Sequence, residues 1–188
     1  MDAQVVIIHD TRLAGSPPKS HVSVIEVNAK TPLASMVQQL NNIAWQYGGE
    51  VRVRILCHGY EDQQGHGGYG LQLCAEDLTL NTVNQLQPLN GNIDYYIKIY
   101  SCGTADVAPG RTGQIGDGRE LCSRIARVTG AGVFAADATQ YYTNGTLFGL
   151  ISKPIDFGNW EGNVLEFDAG GTFAGSTHAP ADTVHPGP

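Results

Sequence analysis

Five short runs rich in β-branched and aromatic residues, alternating with helix-spaced segments, leave this chain few ways to fold. The runs at 5–8, 22–27, 51–56, 95–100 and 133–136 read as strands. Between the second and third, Leu33, Met36, Val37, Leu40, Ile43, Ala44 and Tyr47 recur at helical spacing. Thr31 is the expected N-cap there, Pro32 the first helical residue, and Gly48 and Gly49 the stop. Between the last two strands, Asp117 and Glu120 have the spacing of a capping box. Leu121, Cys122, Ile125 and Val128 come next on one helical face, and Gly130 closes it. Weaker patterns predict a short strand at 71–74, a short helix at 78–89, a strand at 147–151, and a hairpin of 164–167 with 172–174 around 168–171. Such alternation implies right-handed crossovers and a mostly parallel sheet covered on both faces. The expected class is α/β, a three-layer α/β/α sandwich with a C-terminal β-hairpin.

A chain of 188 residues fits one domain, taken as 1–176, with a Pro, His and Ala rich tail at 177–188 that reads as disordered. With 41% hydrophobic and 15% charged residues, the composition suits a packed globule. Eleven basic and 18 acidic side chains give a net charge of -7, and no basic stripe stands ready to displace counterions, so nucleic acid is excluded as a partner. No run approaches the roughly 20 apolar residues of a membrane span, and the N-terminus lacks a signal-peptide layout. The expectation is a cytoplasmic protein without a membrane partner, with export by another route left open. Cys57, Cys74, Cys102 and Cys122 include no C-x-x-C pair, which argues against structural zinc. The glycines from Gly65 to Gly70 lack the Lys-Ser/Thr of a phosphate loop and the dinucleotide fingerprint, so no cofactor and no metal are expected. The acidic pairs Glu61 with Asp62 and Glu76 with Asp77 read as solvated surface rather than calcium ligands.

Two of the strands end in chemistry. The run at 51–56 leads into Cys57, His58 and Gly59, and the run at 95–100 into Ser101 and Cys102. Ligands of parallel sheets bind outside the carboxyl ends of the strands, which is where His58 and Cys102 fall. A thiol with a pKa of about 8.5 is mostly protonated at neutral pH, so a nucleophilic Cys needs a nearby His. Gly59 has no side chain to block its N–H from a substrate carbonyl, and with the N–H of Cys102 it would form an oxyanion hole. Cys57 points to the opposite face from His58 and is expected in the core, as are Cys74 and Cys122. His66 reads as a solvated loop residue, and His9 has no partner spacing. The stretch 103–118 holds five glycines and no periodic pattern, which predicts a long flexible loop; Arg111 within it would be a candidate cleavage point for an enzyme that prefers basic residues.

The sequence RILCHGY and, further along, YYIKIYSCGTAD resemble the strand, His-Gly, strand, Cys arrangement of the caspase-like clan. That clan includes caspases, metacaspases, gingipains, clostripain-like enzymes and separases. The later ELCSRIARVTGAGVFAAD resembles the segment beyond the Cys strand in bacterial caspase-like domains of CHAT-type organisation. The resemblance covers approximately 5–136. It implies a caspase-like fold and a cysteine endopeptidase in which His58 and Cys102 form the catalytic dyad, Gly59 and Cys102 the oxyanion hole, and a protein or peptide the substrate. The end of the first strand then contributes to the pocket for the residue before the cleaved bond. Asp10 and Arg12, of opposite preference, stand there, and Tyr100 and Asp106 complete the expected substrate-binding set. Two departures stand out: the Gln-Ala-Cys pattern of caspases is absent, and the acidic loop residues of metacaspases are echoed only by Glu61, Asp62 and Asp106. The alternative is a catalytically inactive binding or scaffold module of the same fold. A flavodoxin-like small-molecule binder is a third option, and the missing Gly-x-Ser-x-Gly elbow weakens a serine hydrolase.

Overall fold

Strand alternation decides which side chains face which layer of this molecule. A computed structural model describes residues 4–17, 22–143, 146–147, 151–152, 154–157 and 160–178. Its elements are β1 (Gln4–Asp10), β2 (Val22–Val27), α1 (Leu33–Gln46), β3 (Val51–Leu56), β4 (His58–Gly59), β5 (Leu71–Gln72), a 3-10 helix at Val83–Leu89, β6 (Tyr96–Tyr100), α2 (Gly118–Thr129), β7 (Gly132–Ala136), β8 (Thr146–Leu147), β9 (Ile151–Ser152), β10 (Asn163–Phe167) and β11 (Phe173–His178). Seven of the strands form one sheet in the order β11-β10-β7-β6-β3-β1-β2. The pairs from β2 to β7 are parallel, while β10 and β11 join antiparallel at the far edge. The molecule is therefore α/β, with a mostly parallel central sheet and a C-terminal antiparallel hairpin.

Val6 and Ile8 of β1, Val51, Val53 and Ile55 of β3, and Ile97 and Ile99 of β6 face one way. They pack with Leu33, Met36, Val37, Leu40 and Ala44 of α1, with Val83, Leu86 and Leu89 of the 3-10 helix, and with Leu121, Cys122, Ile125 and Ala126 of α2. The residues between them face the other way. There Ile7, Leu56 and Tyr100 pack with Leu13, Ile155, Phe157 and Trp160, so the third layer is built from irregular chain. Among the described residues no helix is long and apolar enough to cross a membrane, and no group of three or more His, Cys, Asp or Glu is placed to hold a metal ion.

Several local expectations change. Helix α1 begins after Pro32, because the Thr31 hydroxyl accepts from the Asn28 N–H (3.1 Å) while a distant carboxylate, Glu76 Oε2, takes the first helical N–H at Leu33 (2.8 Å). Asp117 does cap α2 by accepting from Glu120 N–H (3.0 Å), but the Glu120 side chain turns to Arg124 (2.8 Å) instead of completing a box. The segment at 78–89 forms only the 3-10 helix, as befits a weak pattern containing Pro88. The strand expected at 147–151 is two short antiparallel strands, β8 and β9, with 148–150 outside the described residues. Strand β11 runs to His178, past the expected domain end at 176, and the rest of the expected tail lies outside the described residues.

The glycine-rich stretch at 103–118 is not the loose loop its composition predicts. Val107 pairs with Asp117, Ala108 N–H donates to Gly116 O (2.8 Å), and Gly118 N–H donates to Asp106 O (2.7 Å). It is also locked to the 61–70 loop by Gly68 N–H to Gly103 O (2.9 Å) and Gly116 N–H to Gly68 O (3.2 Å). A Cβ on Gly67 would overlap the backbone of Gly103, so glycine serves here for close approach of two chains rather than for mobility.

Candidate active site

Strands β3 and β6 are parallel neighbours with Leu56 opposite Tyr100, and His58 and Cys102 each stand two residues past that pair. Adjacent strands lie about 4.8 Å apart, so the two strand ends bring the backbones of His58 and Cys102 to the same edge of the sheet. Both residues are half-buried, whereas Cys57, Cys74 and Cys122 are at most 1% exposed. All four cysteines are free thiols.

Gly59 lies directly against the backbone that follows β6. A Cβ there would overlap the carbonyl oxygen of Cys102 and come within 2.9 Å of Ser101 Oγ. Its N–H direction is set by the short sheet. Leu71 uses both its N–H (2.9 Å) and its C=O (3.0 Å) on Leu78, so the Gly59–Leu71 pair is the non-hydrogen-bonded kind. The Gly59 N–H therefore points away from β5.

The Cys102 thiol is pushed up from its ordinary value, chiefly by burial and further by the Glu61 carboxylate. Backbone groups of Gln140, Gly59 and Cys102 itself pull the other way without cancelling the rise. The sulfur lies 3.6 Å from the carbonyl oxygen of Gln140, an acceptor that suits the neutral thiol. The 138–140 segment is anchored on both sides. Gly103 N–H donates to Ala138 O (2.9 Å), the Thr139 hydroxyl to Glu61 Oε1 (2.6 Å), and the Gln140 side-chain amide to Ala138 O (2.9 Å) and Glu161 O (2.8 Å).

His58 Nε2 lies 3.2 Å from the carbonyl oxygen of Arg12, in the turn after β1. A carbonyl only accepts, so Nε2 is the donor in this contact, and in a neutral ring the lone pair then stands on Nδ1. This turn sits where β2 and β3 flank β1 on opposite sides, the topological switch point at which sheets of this kind open a crevice.

The expected substrate-binding residues fare differently. Asp10 is fully buried. Its Oδ1 accepts from Arg12 N–H (3.1 Å) and Nε (2.8 Å), and its Oδ2 from Arg12 Nη2 (2.7 Å) and Cys74 N–H (3.0 Å). Burial raises the Asp10 carboxyl, but these bonds, led by the Arg12 side chain, outweigh it and leave the group below its ordinary value. Arg12 also donates to Cys74 O (2.8 Å) and pairs with Asp77 Oδ1 (3.6 Å). The two opposite charges thus pair with each other, Asp10 wholly enclosed and the Arg12 side chain a quarter exposed. Tyr100 corrects a further expectation: it is 1% exposed, stacked on Trp160 at 4.5 Å and tilted against Phe157 at 5.5 Å, so it is core and lines no cleft. Asp106 is a brace, accepting from Gly67 N–H (2.8 Å) and Val107 N–H (2.8 Å).

Sequence reasoning passes over Tyr60 and reads Asp77 as solvated surface, yet the Tyr60 hydroxyl donates to Asp77 Oδ2 (2.8 Å) beside Arg12. It finds no partner spacing for His9, which is buried with its Nε2 2.9 Å from Leu13 O. A hollow of about 470 Å³ lies along Tyr141, Tyr142 and Thr143, just after the Gln140 carbonyl that the sulfur faces, and is closed by Asp156, Phe157, Trp160 and Glu161. Two others lie elsewhere. One of about 340 Å³ sits on the sheet face by Tyr96, Lys98, Phe134 and Trp160, and a groove of about 430 Å³ runs between Asp62, His66 and Tyr69 on one loop and Pro109 and Arg111 on the other.

No protein-family model, no curated protein and no solved structure matches the chain. The order 2-1-3-4-5 of the first five sheet strands is shared by doubly wound folds of many functions, so function rests on the site itself.

Proposed function

We propose that this chain is a cysteine hydrolase acting on peptide bonds, an endopeptidase of the caspase-like kind, with Cys102 as nucleophile and His58 as its base. The observation that carries the reading is the pairing of β3 with β6, which brings His58, Gly59 and Cys102 to one edge of the sheet with Gly59 against the Cys102 backbone. In this reading Nδ1 of His58 takes the thiol proton, and the thiolate sulfur bonds to the substrate carbonyl carbon. The N–H groups of Gly59 and Cys102 hold the oxyanion. The C–N bond then breaks, His58 returns its proton to the leaving amine, and water hydrolyses the thioester with His58 again as base. Four free thiols suit a reducing compartment such as the cytoplasm.

A second reading, an inactive binding or scaffold module, draws on one specific observation: burial holds the Cys102 thiol above its ordinary value, which favours an unreactive thiol at neutral pH. Iodoacetamide separates the two. The hydrolase reading requires Cys102 to label faster than Cys57, Cys74 and Cys122 by far more than its exposure explains, and His58→Ala to remove that excess. A rate at pH 7 equal to that of a free peptide thiol, unmoved by His58→Ala, leaves the scaffold reading standing. With a peptide library, Cys102→Ala should abolish any cleavage while the protein remains folded.

A further inference from the structure

Two successive carbonyls in the turn after β1 each face a histidine: Arg12 O lies 3.2 Å from His58 Nε2, and Leu13 O lies 2.9 Å from His9 Nε2. The turn is shaped from within, since Leu13 N–H donates to Asp10 O (2.9 Å) and the Asp10 carboxylate takes the Arg12 N–H (3.1 Å) as well as its guanidinium. Arg12 is thus gripped at its amide, its side chain and its carbonyl.

We propose that Asp10 and Arg12 are a positioning pair rather than a specificity pocket. They hold the Arg12 carbonyl as the acceptor that fixes the His58 ring with its proton on Nε2 and its lone pair on Nδ1. The inference rests on the reading of His58 as the base and names what orients it.

Three observations converge on it. First, a fully buried carboxylate accepts four hydrogen bonds, three of them from Arg12, and a buried ion pair of this sort brings little stability over apolar packing. What it does provide is direction: the planar guanidinium fork admits one arrangement of the turn. Second, among the described residues the only non-glycines with positive φ are Cys74 (62°) and Asp77 (56°), and both touch Arg12. Backbone strain of this kind persists where surrounding contacts over-determine it, commonly at functional sites. Third, the network returns to the histidine's own strand. Asp77 accepts from the Tyr60 hydroxyl (2.8 Å), and Tyr60 comes directly after His58 and Gly59, its N–H bonded to Gly70 O (3.0 Å). The turn that offers the carbonyl and the strand that carries the imidazole are thereby tied together from both sides. Because Arg12 cancels the Asp10 charge, the ring is oriented by a neutral acceptor and not by a carboxylate.

The test reads the His58 ring directly. In ¹⁵N-labelled full-length protein, long-range ¹⁵N–¹H spectra above the histidine titration should show His58 mainly as the Nε2–H tautomer. Arg12→Lys keeps the charge but loses the fork. It should lower the ratio of Nε2–H to Nδ1–H by about tenfold, the scale of one hydrogen bond, with amide dispersion preserved. The Cys102 alkylation rate at pH 7 should fall in parallel. Should Arg12→Lys fail to fold, Asp77→Gly relieves the positive φ and removes only the outer contacts, and a smaller shift in the same direction is expected. A wild-type tautomer ratio in a folded variant of either kind overturns the proposal. A shifted ratio with an unchanged Cys102 rate upholds the positioning pair and counts against the hydrolase reading, so the two fail separately.

Discussion

Gly59→Ala is the substitution that probes the crevice most directly, because only the close approach of two backbones demands glycine there. Its φ lies outside the left-handed region, so alanine brings no intrinsic backbone strain, and the whole effect comes from the new methyl group meeting the Cys102 carbonyl oxygen. Carbon and oxygen prefer separations near 3.5 Å, so the strands must part by about 1 Å. On the far side, Tyr60 N–H is already bonded to Gly70 O at 3.0 Å, which limits how far β4 can retreat. Overpacking of this size costs about 1–3 kcal/mol. For a domain of this length that lowers Tm by roughly 2–12 °C. On the proposed hydrolase reading the same displacement moves an oxyanion donor, a loss that costs about 10²–10³ in kcat. Differential scanning fluorimetry should be run beside Gly175→Ala, where a Cβ meets nothing within 4 Å and little change is expected. A Gly59→Ala protein that melts with Gly175→Ala, and whose Cys102 alkylates at the wild-type rate, would refute the placement of Gly59 against the Cys102 backbone.

Other consequences are open to simple measurement. Tyr100→Ala should cost about 3–5 kcal/mol by removing a ring stacked on Trp160 at 4.5 Å; a melting temperature unchanged by this substitution would return Tyr100 to the surface. Glu76→Ala should cost about 1 kcal/mol, since the Leu33 N–H loses the side-chain acceptor it has at 2.8 Å, and urea unfolding will read it. The molecule should weaken in alkali. Burial pushes the thiols of Cys57, Cys74 and Cys122 up, Cys74 to about 12, whereas in the unfolded chain they titrate near 9.0. The folded state then holds protons that the unfolded state gives up, so this stability is complete below pH 9 and is lost as pH rises. At pH 10 the loss is about 1.4 kcal/mol per thiol, roughly 4 kcal/mol for the three. A urea midpoint independent of pH from 8 to 10 would contradict the burial of these sulfurs.

The strands are legible in the sequence because burial imposes a period on the side chains. Val51, Val53 and Ile55 alternate with Arg52 and Arg54, and the structure sends the first set to the helices and the second to the opposite face. The stretch at 103–118 misleads for the converse reason. Its glycines carry no periodic signal, and the contacts that rigidify it, Gly67 on Gly103 and Gly68 with Gly116, join segments far apart in the chain. The start of α1 is hidden similarly, because its acceptor, Glu76, arrives from 43 residues away.

At the site, the legible part lies at strand ends: His58, Gly59 and Cys102 stand just past apolar runs, and chemistry alone names the thiol and imidazole. Tyr100 illustrates the limit. Alternation with Ile97 and Ile99 does place it on the face away from the helices, yet nothing local announces that Phe157 and Trp160 close over it. The charges at Asp10 and Arg12 carry a usable signal that points to each other rather than to a substrate. Residues two apart at a strand end share a side, where opposite charges satisfy each other before any substrate arrives. Once paired, they hand their influence to a main-chain carbonyl, a group every residue possesses and no side-chain motif reveals. The orientation of the proposed base is thus set by backbone geometry, which emerges only from the contact of the turn, the strained residues Cys74 and Asp77, and the His58 strand.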